Sequence, residues 1–115
     1  MKTITQLLYG SHPKTGNIKQ RTITIVKLLK DAGGKLDAKE LEVKLGISRT
    51  ERPAMFYKPL AALKRWDLLQ SHKKVVFDDA GKKHFQTTYE LTPEFFLRYL
   101  QKTLVEMCRT ELEML

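Results

Sequence analysis

Apolar residues recur at three- and four-residue intervals along most of this chain and at every second residue in one middle stretch. That contrast lays out its elements. Ile18, Thr22, Ile25, Val26 and Leu29 share one helical face and predict a helix from about Asn17 to Ala32. Isoleucine, threonine and valine are mediocre helix formers, so tertiary packing must hold this segment. Gly33-Gly34 stops it, and Lys35-Leu36 suits a very short strand. Asp37 followed by Glu40, with Leu36 and Leu41 on either side, forms a capping box with a hydrophobic staple. Leu41 and Leu45 continue one face, and Gly46 supplies the left-handed residue that commonly ends a helix. After Gly46-Ile47-Ser48 a second helical pattern carries Leu60 and Leu63 and ends at Trp66-Asp67-Leu68-Leu69. Thr50 is a candidate cap and Pro53 suits a first turn, but Pro59 falls inside a helix spanning 51–66. An interior proline costs about 3 kcal/mol. A kinked or broken helix is therefore expected, held to the core by Met55, Phe56, Leu60 and Leu63.

Two β-like runs follow. Leu69 to Asp78 carries Val75, Val76 and Phe77, while Lys83 to Leu91 alternates Phe85, Thr87, Tyr89 and Leu91 on one face. Asp78-Asp79-Ala80-Gly81 between them is turn-forming, so the pair predicts a β-hairpin. Thr92-Pro93-Glu94 opens a last helix with a capping residue, a proline at the first helical position and an acidic first turn. Leu91 and Phe96 stand where a second staple forms. Leu97, Leu100, Leu104, Met107, Cys108, Leu112 and Leu115 then keep an apolar stripe of about 3.5-residue period. One small domain does not need that much apolar helix, so the stripe predicts a helix-to-helix homodimer seam. Packing on its own domain is the alternative. Residues 1–17 begin with the apolar Ile4, Leu7 and Leu8 and then loosen from Gly10 to Gly16, which suggests a short helix or strand followed by a flexible arm. A solvated loop is the default for that arm, with phosphate contact through Lys14, Lys19 and Arg21 as the alternative.

A chain of 115 residues suits one domain. No apolar run reaches membrane-spanning length and no signal-peptide core is present. The single Cys108 cannot pair internally, which favours a cytoplasmic protein. The formal charge is +8, suggesting a polyanionic partner. The excess is uneven: residues 1–35 hold seven basic and one acidic residue, and residues 36–66 hold seven and four. Residues 67–91 balance at four and four, and residues 92–115 hold three and four. Such a separation suits one face for nucleic acid and another for protein. There is no Gly-rich phosphate loop, metal-ligand spacing or nucleophile–base set, so no enzyme activity and no cofactor are expected. Glu40, Glu42 and Glu51 are better explained as capping and solvated residues than as a catalytic pair.

Helix, helix, turn, helix, hairpin, helix is the order of a winged helix-turn-helix domain. The chain resembles the small dimeric ArsR-like and MarR-like prokaryotic repressors in LGIS at Leu45 to Ser48, in Leu60-x-x-Leu63, in Leu68-Leu69 entering the hairpin, and in YELTPE at Tyr89 to Glu94. The resemblance covers about residues 18–115. It implies an α+β, mostly α fold with a three-helix core and a β-hairpin wing over 18–91, an arm over 1–17, and a dimerisation helix over 92–115. It further implies a homodimeric transcription regulator on a partly palindromic double-stranded DNA site, with one helix in the major groove and the wing on the backbone or minor groove. Arg49, Arg52, Tyr57 and Lys58 are assigned to the groove-facing helix, and Lys73, Lys74, Lys82 and Lys83 to wing–phosphate contacts. For Arg49 and Arg52 the plainer reading is surface charge paired with Glu51 or water; for the lysines it is hairpin solubility. Lys64 and Arg65 are adequately explained by the helix dipole, and Trp66 by the core. Two features depart from the family: about one extra helical turn with two prolines between Ser48 and Leu63, and no Cys-x-Cys site. Metal sensing is accordingly not carried over, the histidines 12, 72 and 84 being widely scattered. A winged-helix module for RNA or protein contact is the second reading.

Overall fold

Asp37 caps one helix of this protein through its side chain, whereas the helices beginning at Gly16, Pro53 and Pro93 start without a side-chain cap bond. The computed structural model describes residues 4–10 and 13–115; Ser11 and His12, part of the expected arm, lie outside the described residues. A short α1 (Ile4–Tyr9) and a 3-10 turn (Pro13–Thr15) precede α2 (Gly16–Asp31). α1 is fastened to α2: the Tyr9 hydroxyl donates to Thr22 Oγ1 at 2.8 Å, and Thr22 Oγ1 donates onward to Ile18 O at 2.7 Å. Burial pushes the Tyr9 phenol pKa up. Thr22, Ile25 and Leu29 are the fully buried face of α2, with Ile18 and Val26 half-buried beside them.

Gly33 and Gly34 turn with positive φ into β1 (Lys35–Asp37), and α3 (Ala38–Leu45) starts at once. Asp37 caps it, its Oδ1 accepting the Glu40 N–H at 2.7 Å, while Leu36 and Leu41 are both buried. Gly46 ends α3 at φ +73°, where a side chain is disfavoured. The connector from 46 to 52 is organised by Ser48, whose Oγ accepts from Glu51 N and whose carbonyl accepts from Arg52 N. Thr50 is therefore not the cap of the next helix. α4 (Pro53–Arg65) begins with Pro53 in its first turn, and Arg52 occupies the cap position without a side-chain cap bond. The helix is not broken at Pro59: it runs through, and Pro59 is buried on the same side as Phe56, Leu60 and Leu63. Burial of that apolar ring offsets part of the lost backbone bond.

β2 (Leu69–Phe77) and β3 (Lys83–Leu91) form the expected hairpin, and β1 pairs on the other side of β3, giving the antiparallel order β1-β3-β2. Tyr89 lies opposite Leu36 on one side and Ser71 on the other. β1 reaches only residues 88–90 of β3, so the outer half of the hairpin is a two-stranded ribbon projecting beyond the core. The core itself gathers α2, α3, α4, the base of the sheet and Phe96. Each fully buried leucine or phenylalanine in it stabilises the fold by about 1.5–3 kcal/mol relative to exposure.

The last helical run is α5 (Pro93–Tyr99), a π turn (Leu100–Leu104) and α6 (Val105–Met114). Thr92 does not cap α5 through its side chain: its Oγ1 donates to Asp67 O and its N–H to Leu68 O, both at 2.8 Å, tying the helix start to the end of α4. Phe96 is buried and Leu100 packs against the core; beyond Leu104 the helix leaves the body. The extents of 64 × 29 × 23 Å and radius of gyration of 16.9 Å exceed the roughly 13 Å expected for a compact chain of this length. The protein is thus mixed α+β, mostly helical, with one three-stranded antiparallel sheet. Among the described residues, no helix is long and apolar enough to cross a membrane.

Candidate nucleic-acid interface

The side of α4 turned away from the core carries Ala54, Tyr57, Lys58, Ala61, Lys64 and Arg65, all exposed. This follows from helical spacing, because Phe56, Leu60 and Leu63 occupy the buried side. Around the helix Ala54 and Ala61 fall between Tyr57 and Lys64 on one side and Lys58 and Arg65 on the other, leaving a low surface bordered by cations and one phenol. Arg52 stands exposed just before the first turn, its guanidinium 3.9 Å from Met55 Sδ.

Arg49 is not on this helix. It lies in the connector, where its Nε donates to Glu42 Oε2 at 2.6 Å and its backbone N–H donates to the same oxygen at 3.1 Å. The partner is thus Glu42 on α3, not Glu51. The hydrogen bonds from Arg49 hold the Glu42 carboxyl below its ordinary pKa, and Glu42 in turn raises that of Arg49. One consequence is orientation: Arg49 lines a groove with Lys39 at the start of α3 and with Val76, His84, Phe85 and Thr87 of the ribbon. A hydrogen bond from Gln86 Nε2 to Asp37 Oδ2 closes one end of it. The connector, α3 and hairpin are therefore brought to one side. Lys64 links α4 to the same sheet, its Nζ 5.8 Å from the centre of the Tyr89 ring, so it does more than complement the helix dipole.

Lys73, Lys74, Lys82 and Lys83 are all exposed on the hairpin, but not as one strip. Strand alternation puts Lys73 and Lys83 on the face that continues from the core, and Lys74 on the opposite face; Lys82 is in the turn. The turn is tied by Asp78, which accepts from the N–H groups of Ala80 and Lys82 and pairs with His84 at 2.8 Å. His72 sits 3.6 Å from Glu90, which also holds Lys35 at 3.0 Å. Each described histidine thus has an acidic neighbour.

Charge reasoning overlooked the apolar side of this ribbon. Phe85 shares a face with Tyr89, as the alternation predicts, yet it is 66% exposed and Phe77 is 69% exposed. The register was the available signal: Val75 pairs with Phe85, and Phe77 with Lys83, three residues or more beyond the end of β1. Trp66 is half-buried with its ring edge against Tyr99.

The expected seam residues divide after the π turn. Leu100, Leu104, Cys108 and Leu112 line one shallow apolar groove with Val105, whereas Met107 lines a different one with Met114. Leu97, Leu112 and Leu115 are largely exposed. No protein-family model matches the chain, and no curated protein matches it in sequence.

Proposed function

We propose that this protein is a winged helix-turn-helix regulator that binds double-stranded DNA as a homodimer. In this reading α3 and α4 are the helix-turn-helix pair, α4 enters the major groove, and the β2–β3 hairpin is the wing on the backbone. The observation that carries it is the exposed basic face of α4, bearing Tyr57, Lys58, Lys64 and Arg65, with Lys64 reaching over Tyr89 of β3, together with the Arg49 groove that joins α3 and the connector to the lysine-bearing ribbon. Lysine and arginine on such a surface release counterions from phosphate and supply salt-dependent affinity. Arg52 and Tyr57 are the groups best set to read base edges, with arginine able to hold guanine O6 and N7 together. Arg49 acts mainly on phosphate, because its guanidinium is already engaged by Glu42. The exposed apolar grooves of α6 supply the surface that a second copy covers, and two copies present two reading helices to a partly palindromic site. A soluble bacterial or archaeal cytoplasmic regulator fits the single unpaired cysteine.

Selection of bound sequences from random duplex DNA, with single-stranded RNA as competitor, tests this reading. A recovered motif with twofold symmetry supports it. Preferential loss of binding to the RNA competitor favours instead a winged-helix module for RNA.

A further inference from the structure

The projecting end of the hairpin has two unlike faces. One bears Gln86, Lys74, His84 and Val76 and is mostly polar; the other bears Val75, Phe77 and Phe85 with Lys73 and Lys83. Val75 is 42% exposed, and both phenyl rings are more open still. A ribbon facing water on both sides does not need two phenylalanines, and exposed apolar strands are an association hazard. Their setting is cationic: Lys83 Nζ lies 5.3 Å from the centre of the Phe85 ring. Phe85 and Thr87 line the groove that contains Arg49, beside Val76, His84 and Gln86 of the other face, so the groove runs over the edge of the ribbon and reaches the aromatic face at Phe85.

We propose that this face is a stacking surface for unpaired nucleobases adjoining a duplex, with Phe77 and Phe85 taking the base planes and Lys73 and Lys83 the phosphates on either side. Charge complementarity selects nucleic acid over a neutral protein surface, since the apolar patch is bordered by lysine and by Arg49. Aromatic rings accept the face of any base, whereas paired bases inside a duplex offer only their edges. The surface therefore favours a bulge, a frayed end or an unstacked step over a fully paired helix, and inserting a phenyl ring at such a step bends the duplex. This inference rests on the nucleic-acid reading and adds a preference to it.

The test compares two duplexes of the same mixed sequence at low salt, one fully paired and one carrying a two-nucleotide bulge with 2-aminopurine. The wild-type chain is expected to bind the bulged duplex about tenfold more tightly, as one base stacked on an aromatic ring provides, and to change the probe's fluorescence. Phe77→Ala with Phe85→Ala should bring the two affinities to within about twofold of each other, and Phe77→Ala alone, whose ring lies outside the Arg49 groove, should narrow the gap while leaving the paired duplex bound as before. Both residues are exposed, so circular dichroism should be unchanged. Phe85→Tyr should keep the preference, and Phe85→Leu, which keeps apolar area without a ring, should weaken it. Equal wild-type affinity for both duplexes overturns the stacking surface and leaves duplex binding intact; binding of neither overturns both readings. If the double substitution only abolishes self-association, the face joins copies of the chain and the inference fails.

Discussion

Replacing Asp37 tests the start of α3, and with it the placement of the connector and α4. Its Oδ1 accepts the Glu40 N–H at 2.7 Å and its Oδ2 accepts from Gln86 at 3.1 Å. Loss of a helix cap costs about 1 kcal/mol, and an exposed side-chain hydrogen bond adds roughly another half. Asp37→Ala should therefore lower stability by about 1–1.5 kcal/mol and Tm by about 4–6 °C, read by urea and thermal denaturation. Asp37→Asn keeps an acceptor for the backbone N–H and loses only the charge near the helix dipole, so it should cost about half as much or less. The Glu40 N–H bond, then those from the side chains around it, hold the Asp37 carboxyl below its ordinary pKa. Because the folded value is depressed, its contribution is present above the unfolded carboxyl pKa and fades as pH falls through the folded one. The gap between wild type and Asp37→Ala should narrow in acid. Equal losses for the alanine and asparagine variants, or a gap unchanged between neutral pH and about pH 3, would refute the capping account.

Arg52→Ala should reduce duplex affinity at least tenfold, as loss of a base contact worth about 1–3 kcal/mol allows; competition binding on selected and scrambled sites checks whether the loss is sequence-confined. Arg49→Ala should shift affinity evenly across sequences and flatten the salt slope by about one charge, measured by titration at several salt concentrations. Sedimentation should give a dimer at micromolar concentration, and Leu104→Glu together with Leu112→Glu should give a monomer whose body still folds, since both lie beyond the core. Phe56→Ala, at a position with no exposure, should cost about 3–5 kcal/mol in urea denaturation.

How much of this was legible in the residues depends on the range of the interaction. The Asp37 cap, the Gly46 stop and the Asp78 to Gly81 turn are local, and each is formed where its side chains predict. The connector was not legible, because Ser48 and the Glu42–Arg49 pair compete there with Thr50, and only packing decides between them. Thr92 shows the same effect: a residue suited to capping instead donates across 25 positions to Asp67 O. Alternation along β3 gave the correct face for Phe85 but not where the core stops beneath it. At Pro59 the break that the lost bond would allow does not occur, because a propensity argument weighs that bond and not the burial of the ring. Of the candidate site, residue types were readable and grouping was not: Arg49 left the helix, and the hairpin lysines split between two faces.

The widened turn from Leu100 to Leu104 acts as a phase shifter. Holding one more residue than an ordinary α turn, it swings everything downstream by about 100° around the axis. Returning that turn to ordinary α geometry at unchanged chain length would leave the body untouched and rotate the tail, so the proposed dimer, paired through that tail, would hold its two reading heads at a new angle. Its preferred site would then change in the count of base pairs between the halves, while the letters of each half stayed the same.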